Sequence, residues 1–212
     1  MANRCSLTLL RRLHRTSAIC IARGYRTISH ASASVLAASP PFELQALALQ
    51  QVYDHLRDLG SGDGGTQPTN CDRPVQDVRR EAKRRIWERW RSQLLEEDTT
   101  GSHRAVRAIL PNWEAWRDRG GGPLTFRMTQ VLTSHGVFGE YLLKIQREVT
   151  SICHHCQEEE EPRRVLRLAI GDRLAPEAVI EAMTRGQQEL ATVSNYCEQV
   201  MLVKDWAEKR RV

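Results

Sequence analysis

Apolar and polar positions near the start of the chain alternate with a helical period. Spacing of about 100° per residue separates residues Arg4 to Arg23 into an apolar side and a side that carries every arginine. The apolar side holds Leu7, Leu9, Leu10, Leu13, Cys20 and Ile21. We therefore expect an amphipathic basic helix that ends at Gly24, followed by a Ser/Ala-rich stretch and a break at Pro40 and Pro41.

Two longer helices are expected next. One begins at Phe42 or Glu43 and ends at Leu59, and the other runs from Val75 to Glu97. In the second helix the apolar residues recur every four positions: Val78, Ala82, Ile86, Trp90 and Leu94. Four residues exceed one turn by about 40°, so this stripe winds around the helix and leaves basic side chains along its borders.

The rest of the chain predicts shorter helices and one long C-terminal helix. Their expected ranges are His103–Leu110, Leu124–Thr133, Phe138–Thr150, Arg163–Ile170, Pro176–Arg185 and Gln188–Arg211. The last range has an i, i+3, i+4 stripe of Leu190, Val193, Cys197, Val200 and Met201. This stripe is typical of a helix that packs along one face.

These patterns predict an all-α fold of two small helical units. Residues 60–74 are rich in Gly and polar residues, contain prolines and have almost no apolar group, which is typical of a flexible linker. The remaining segments are 1–59, a basic helical segment; 75–150, the basic helix with a Trp-rich region; 151–161, a cysteine motif with an acidic loop; and 162–212, a helical tail.

Composition excludes several classes of protein. The chain has 212 residues, of which 6% are aromatic, so it is too short for a large multidomain enzyme and a poor candidate for a barrel of many strands. No apolar run approaches the roughly 18 residues of a membrane-spanning helix. We expect no membrane partner.

The net charge of +5 is unevenly distributed. Residues 1–42 contain six arginines and no acidic residue, and the segment Arg73 to Arg91 carries eight basic residues against three acidic ones. Two basic regions in an otherwise mildly acidic chain favour a polyanionic partner, such as RNA, DNA or a lipid surface.

The Val75–Glu97 helix combines cations with aromatic rings. Cations follow phosphates and flat rings stack on bases in proteins that bind single-stranded nucleic acid. The alternative is a solvated charged face in which Trp87 and Trp90 are core anchors. The candidate RNA- or DNA-binding residues are Arg79, Arg80, Lys83, Arg84, Arg85, Trp87, Arg89, Trp90 and Arg91, with Arg11, Arg12 and Arg15 from the first helix.

Four strings, in this order, resemble the C-terminal part of the reverse transcriptase polyprotein of type-1 non-LTR retrotransposons. The first, LHRTSAICIARGYRTISHASASVLAASPPFEL at Leu13 to Leu44, is similar to the thumb after the polymerase palm. The string ILPNWEAWRDRGGGPLTFRMTQVLTSHGVFGEYLLKI, Ile109 to Ile145, is similar to the stretch that leads into the family's cysteine motif. ICHHC and then PRRVLRLAIGDRLAPEAVIEAM, Pro162 to Met183, resemble the first half of that motif and the region after it.

The resemblance implies a nucleic-acid-binding fragment of an RNA-directed DNA polymerase polyprotein. Polymerase chemistry needs clustered aspartates that hold two divalent cations. The chain has no adjacent pair of aspartates and no Tyr-x-Asp-Asp string, so the family's palm is absent. We therefore expect no nucleotidyl transfer from this chain alone and predict no catalytic residue.

The cysteine motif is incomplete. Cys153 and Cys156 have the spacing of two zinc ligands, but no histidine follows them and the next cysteine is Cys197. The second ligand pair of the family's zinc knuckle is missing. Zinc bound by the two cysteines with His135, His103, His154 or His155 is one interpretation, and free thiols in an exposed loop are the favoured one; otherwise we expect no cofactor.

The remaining notable residues have structural interpretations. Cys5, Cys20, Cys71 and Cys197 are expected to be small buried side chains. His135, followed by Gly136, is expected to cap a helix C-terminus, since no nucleophile lies beside it. Core positions are expected for Trp113, Trp116, Phe126, Phe138 and Tyr141.

Two other functions stay open. The acid-free, Arg- and Ser-rich residues 1–42 also fit a mitochondrial presequence cleaved near Tyr25, although the resemblance favours a thumb helix. The tail from Gln188 to Arg211 is a candidate partner helix in a noncatalytic interaction module. The expected location is intracellular, with nucleus or cytoplasm favoured and the mitochondrion as the alternative.

Overall fold

The computed structural model describes residues 4–60, 74–97, 103–119, 124–135, 139–147, 149 and 175–210. These residues form helices and turns and contain no strand, which confirms the all-α prediction. The helices are α1 (Arg4–Ala22), α2 (His30–Leu36), α3 (Phe42–Gly60), α4 (Val75–Glu97), α5 (Arg104–Ile109), α6 (Trp113–Asp118), α7 (Phe126–Thr133), α8 (Gly139–Lys144), α9 (Pro176–Arg185) and α10 (Gln187–Arg210). A 3-10 turn, Leu110–Asn112, joins α5 to α6.

Helix α2 is absent from the sequence-based prediction, which placed only a Ser/Ala-rich connection there. Its N-cap is Ser29, whose hydroxyl accepts a hydrogen bond from the Ser32 N–H at 3.1 Å. Residues 32–36 are all buried. A helix that is covered on every side and built from small residues has no amphipathic pattern, so hydrophobic periodicity does not reveal it.

The buried face of α1 is not the apolar side that its sequence pattern shows. Leu9, Leu13 and Ile21 are more than half exposed, whereas His14 and Ala18 are fully buried. Small side chains let α1 approach α2 closely, and His14 bonds to His30 at its start. Much of the apolar side of α1 therefore faces outward, with Leu7 and Leu10 half-buried.

One main core joins the parts of the chain on either side of residues 61–73. Helix α3 packs along α4, α2 packs on α5, α9 packs on α5 and α10, and α10 packs on α7. Val35, Leu36 and Leu44 share this core with Trp90, Ile109 and the α9 and α10 side chains. The two helical units expected from the sequence are thus packed together, and most of the proposed linker between them lies outside the described residues.

Tryptophans occupy the centre of this core. Trp87, Trp90 and Trp113 make edge-to-face contacts with centroid distances of 5.1 to 5.4 Å. The indole N–H of Trp116 donates to the Val35 carbonyl oxygen at 2.9 Å in the interior. The expectation that Trp113 and Trp116 are core residues is confirmed, with 4% and 1% exposure.

The other aromatic and histidine expectations had mixed outcomes. Phe126 is 39% exposed, so its assignment to the core was wrong; its ring lies edge-on against Tyr25 at the surface. The side chains of Phe138 and Tyr141 lie outside the described part of the chain. His135 follows the left-handed residue Ser134 at the end of α7, and its N–H donates to the Gln130 carbonyl, as expected of a capping turn.

The predicted burial of the single cysteines holds for only some of them. Cys197 is buried, as predicted, and burial raises the pKa of its thiol to about 12. Cys5 and Cys20 are exposed on α1, so their predicted burial was wrong, because the helix turns that side to the surface. Cys71 lies outside the described residues.

The apolar stripe of the C-terminal helix, α10, packs against other helices of the same chain. Val193, Cys197 and Met201 are at most 1% exposed and face α7 and α9. An ion pair between Asp205 and Arg127, at 2.6 Å, also ties α10 to α7. A partner helix therefore has no access to these three residues of the stripe, whereas Leu190 and Val200 are half-buried, and the exposed apolar side chains of α10 are Leu202, Val203 and Trp206.

No helix in the described ranges has the length and apolar character needed to cross a membrane.

Candidate nucleic-acid interface

The basic side chains of α4 point away from the core. Its buried positions are Ala82, Trp87, Trp90 and Leu94, whereas its seven candidate cations are all exposed. They are Arg79, Arg80, Lys83, Arg84, Arg85, Arg89 and Arg91.

Three of these cations are neutralised by acidic residues of the same helix. Arg80 pairs with Asp77 at 3.1 Å, and Arg84 and Arg85 pair with Glu81 at 2.8 and 2.9 Å. Hydrogen bonds from Arg84 and Arg85 hold the pKa of Glu81 below its usual range. Such exposed i, i+3 and i, i+4 pairs add little stability, but they reduce the positive field of that side of α4.

The other four cations have no acidic partner among the described residues. Arg79 and Lys83 stand one turn apart, on the side of α4 next to α3. Arg89 and Arg91 belong to its C-terminal half. The charge available to a polyanion is therefore smaller than the sequence count suggests and is concentrated at particular positions.

On α1 two of the three candidate arginines hold the fold together. Arg11 pairs with Glu43 of α3 at 2.9 Å. Arg15 donates to two backbone carbonyls of the α1–α2 connection, at 2.5 and 2.9 Å. Arg12 is exposed, and no carboxylate of the described residues pairs with it.

The two candidate stacking tryptophans lie in the core. Trp87 is 6% exposed and Trp90 is 2% exposed, and both pack against Trp113. Neither ring offers a free face on which a base could stack from solvent. They occupy the positions that the alternative interpretation, core anchors, assigns to them.

A groove of about 630 Å³ lies between α3 and α4. We call it the α3–α4 groove, and its lining residues come from the α2–α3 connection, α3, α4 and α6. They are Ala38, Ser39, Pro40, Gln45, Ala48, Leu49, Val52, Arg79, Ala82, Lys83, Ile86, Trp87 and Arg117.

The charge of the α3–α4 groove is positive. Its charged lining residues are Arg79, Lys83 and Arg117, without a carboxylate among the lining residues that the structure describes. Arg117 is bound by the neighbouring Asp118 at 2.5 Å, whereas Arg79 and Lys83 form no ion pair with a carboxylate of the described residues. The hydrogen bond from Arg117, with the charge of Lys83, holds the pKa of Asp118 below its usual range.

A second cavity, of about 600 Å³, is lined by residues of both α1 and α4. Arg11 and Arg89 line it, but so do Glu43, Glu96 and Glu97. Its mixed charge makes it a poorer site for a polyanion than the α3–α4 groove.

A buried polar chain connects the two cavities. His14 is fully buried, and its Nδ1 lies 2.7 Å from His30 Nε2, while its Nε2 lies 3.3 Å from the Ser39 hydroxyl. His30 lines the second cavity and Ser39 lines the α3–α4 groove. The sequence alone does not reveal these residues, because the pairing depends on how α1 and α2 pack.

The cysteine pair predicted to bind metal, Cys153 and Cys156, lies outside the described residues. Within the described ranges there is no group of three or more His, Cys, Asp or Glu side chains that could hold a metal ion.

Comparison with known proteins gives no relative: no protein family matches the chain, and neither a curated protein nor a solved structure is significantly similar to it.

Proposed function

We propose that the chain is a nonspecific RNA- or DNA-binding remnant of a retrotransposon RNA-directed DNA polymerase polyprotein, without a catalytic palm of its own. The observation that supports binding is the pair of unneutralised cations Arg79 and Lys83 at the edge of the α3–α4 groove. Arg89, Arg91 and Arg12 add exposed charge. The polyprotein origin is supported by the ordered sequence strings described above.

The proposed binding is electrostatic in origin. Arg79 and Lys83 neutralise phosphates and release the counterions condensed on the backbone, which gains affinity without reading base sequence. Ion-paired residues such as Arg84 contribute less, because a phosphate must compete with a carboxylate that is already bound. No catalytic residue and no cofactor belongs to this proposal, and zinc at Cys153 and Cys156 stays an untested alternative.

The location of α1 bears on the mitochondrial alternative. His14, Ala18, Ile19 and Ala22 are buried against the rest of the chain, so cleavage near Tyr25 would remove part of the packed interior. This favours α1 as a permanent helix of the fold, consistent with a thumb-like segment, over a removable presequence.

The proposal is tested by equilibrium binding of the purified chain to a labelled single-stranded oligonucleotide across a salt series. We expect the logarithm of the binding constant to fall linearly with the logarithm of salt concentration, by about 0.7 per phosphate contact for a single strand. A constant that does not change with salt, or no binding in dilute buffer, would contradict the proposal.

A further inference from the structure

The α3–α4 groove combines a positive edge with apolar walls. Beside Arg79 and Lys83, the walls are formed by Leu49, Val52 and Ile86, and Trp87, which is 6% exposed, contributes little surface to them. A ligand that fills this space needs an anionic group at the edge and a flat or apolar group inside. The volume of about 630 Å³ lies within the range of roughly 300–1,000 Å³ that is usual for small-molecule sites.

The groove is not uniformly apolar. Ser39 and Gln45 also line it, and they lie together because Gln45 Nε2 donates to the Pro40 carbonyl oxygen at 2.6 Å. This bond leaves the Gln45 side-chain oxygen as an acceptor. A nucleobase has apolar faces and a polar edge, which matches apolar walls with a hydroxyl and an amide, whereas an acyl chain has no group for them.

Resting on the proposed function, we infer that the α3–α4 groove receives one unpaired nucleobase while Arg79 and Lys83 hold the adjacent phosphates. The chain then prefers single-stranded nucleic acid to duplex. A base in a duplex is stacked and paired, so it must be flipped out before it enters the groove. Flipping costs the free energy of unstacking and unpairing, whereas an unpaired base has no pairing to lose. The phosphates of a duplex still reach the two cations.

The inference is tested by filling the groove. Ala48 lines it from α3, so Ala48→Trp puts an indole into the space, whereas Ala46→Trp adds the same ring to an exposed position of the same helix. Binding of the full chain is measured for a dodecamer single strand and for a hairpin duplex of the same sequence. We expect Ala48→Trp to weaken single-strand binding at least tenfold, with duplex binding unchanged and Ala46→Trp like the wild type.

Equal affinity of the wild type for the two oligonucleotides overturns the inference but leaves salt-dependent binding, and so the proposed function, intact. Equal loss of both affinities in Ala48→Trp also overturns it. If the wild type binds neither oligonucleotide, the proposed function itself is contradicted.

Crosslinking gives a readout that does not depend on a variant folding correctly. A single strand that contains 5-iodouracil is irradiated with the wild-type chain, and the adducts are located by mass spectrometry. We expect adducts in the α3 and α4 peptides that contain Leu49, Ile86 or Trp87. Adducts confined to α1 or α10 would overturn the inference.

Discussion

His14 Nδ1 lies 2.7 Å from His30 Nε2 inside the helical core, and the two imidazoles share one hydrogen. Burial is the largest cause that lowers the pKa of both side chains. The charge of His14 lowers the pKa of His30 further. Glu43 opposes the shift at both residues. Two imidazolium ions cannot occupy this geometry, because both facing nitrogens would then carry protons.

The pair makes stability depend on pH. The folded pKa values lie below the ordinary value of 6.5, so the unfolded state binds more protons near and below that pH, and the free energy of unfolding rises with pH. We expect the urea midpoint to fall as the pH is lowered from about 7.5 to about 5.5, across the ordinary histidine pKa.

A variant assigns this dependence to the pair. His30→Gln is expected to reduce the pH dependence. Some dependence remains in His30→Gln, because burial also lowers the pKa of His135. Identical pH profiles for wild type and His30→Gln would contradict this assignment.

Substitution of Trp116 tests the contact between α6 and α2. Its indole N–H is bonded to the Val35 carbonyl in the interior, so Trp116→Phe removes a buried hydrogen bond and leaves a space beside α2. We expect a loss of about 1–3 kcal/mol in the free energy of unfolding, measured by urea denaturation. Trp206→Phe is the matched control, because Trp206 is 58% exposed. A cost below about 0.5 kcal/mol, the usual size for a surface change, would show that Trp116 does not anchor α2.

Cysteine reactivity tests the orientation of α1 and α10. Cys20 is exposed, whereas burial raises the pKa of the Cys197 thiol to about 12. At pH 8 we expect iodoacetamide to modify Cys20 in the folded protein and to modify Cys197 only after denaturation, as followed by peptide mass spectrometry. Equal labelling rates in native buffer would mean that the α10 stripe is not covered by α7 and α9.

Helix limits were predictable where the local sequence determines them. Helix α4 runs from Val75 to Glu97 and α9 from Pro176 to Arg185, as predicted from apolar spacing and, for α9, from Pro176 in its first turn. Helix α2 was missed because its serines and alanines are buried on all sides. The orientation of α1 does not follow from its apolar side, because close packing of Ala18 and the His14–His30 bond outweigh the burial of Leu9 and Leu13.

The candidate site was only partly predictable for a related reason. The sequence identifies the cations of α4, and the i, i+3 and i, i+4 spacing of Glu81 to Arg84 and Arg85 indicates which of them are neutralised. The α3–α4 groove depends on which residues of two helices face each other across residues 61–73, and no local pattern contains that information. The burial of Trp87 and Trp90 likewise depends on Trp113, far along the chain.

Nucleic acid is proposed to bind along the α3–α4 side of α4 through the cations that no described carboxylate pairs with. The most direct measurement compares the salt dependence of single-strand binding for Arg79→Gln/Lys83→Gln and for Arg84→Gln/Arg85→Gln, which remove the same charge from different sides of one helix. We expect the first double variant to lower the log–log slope by about 1.4, or 0.7 per lost phosphate contact, and the second to change it little. Equal slopes for the two double variants would contradict this proposal.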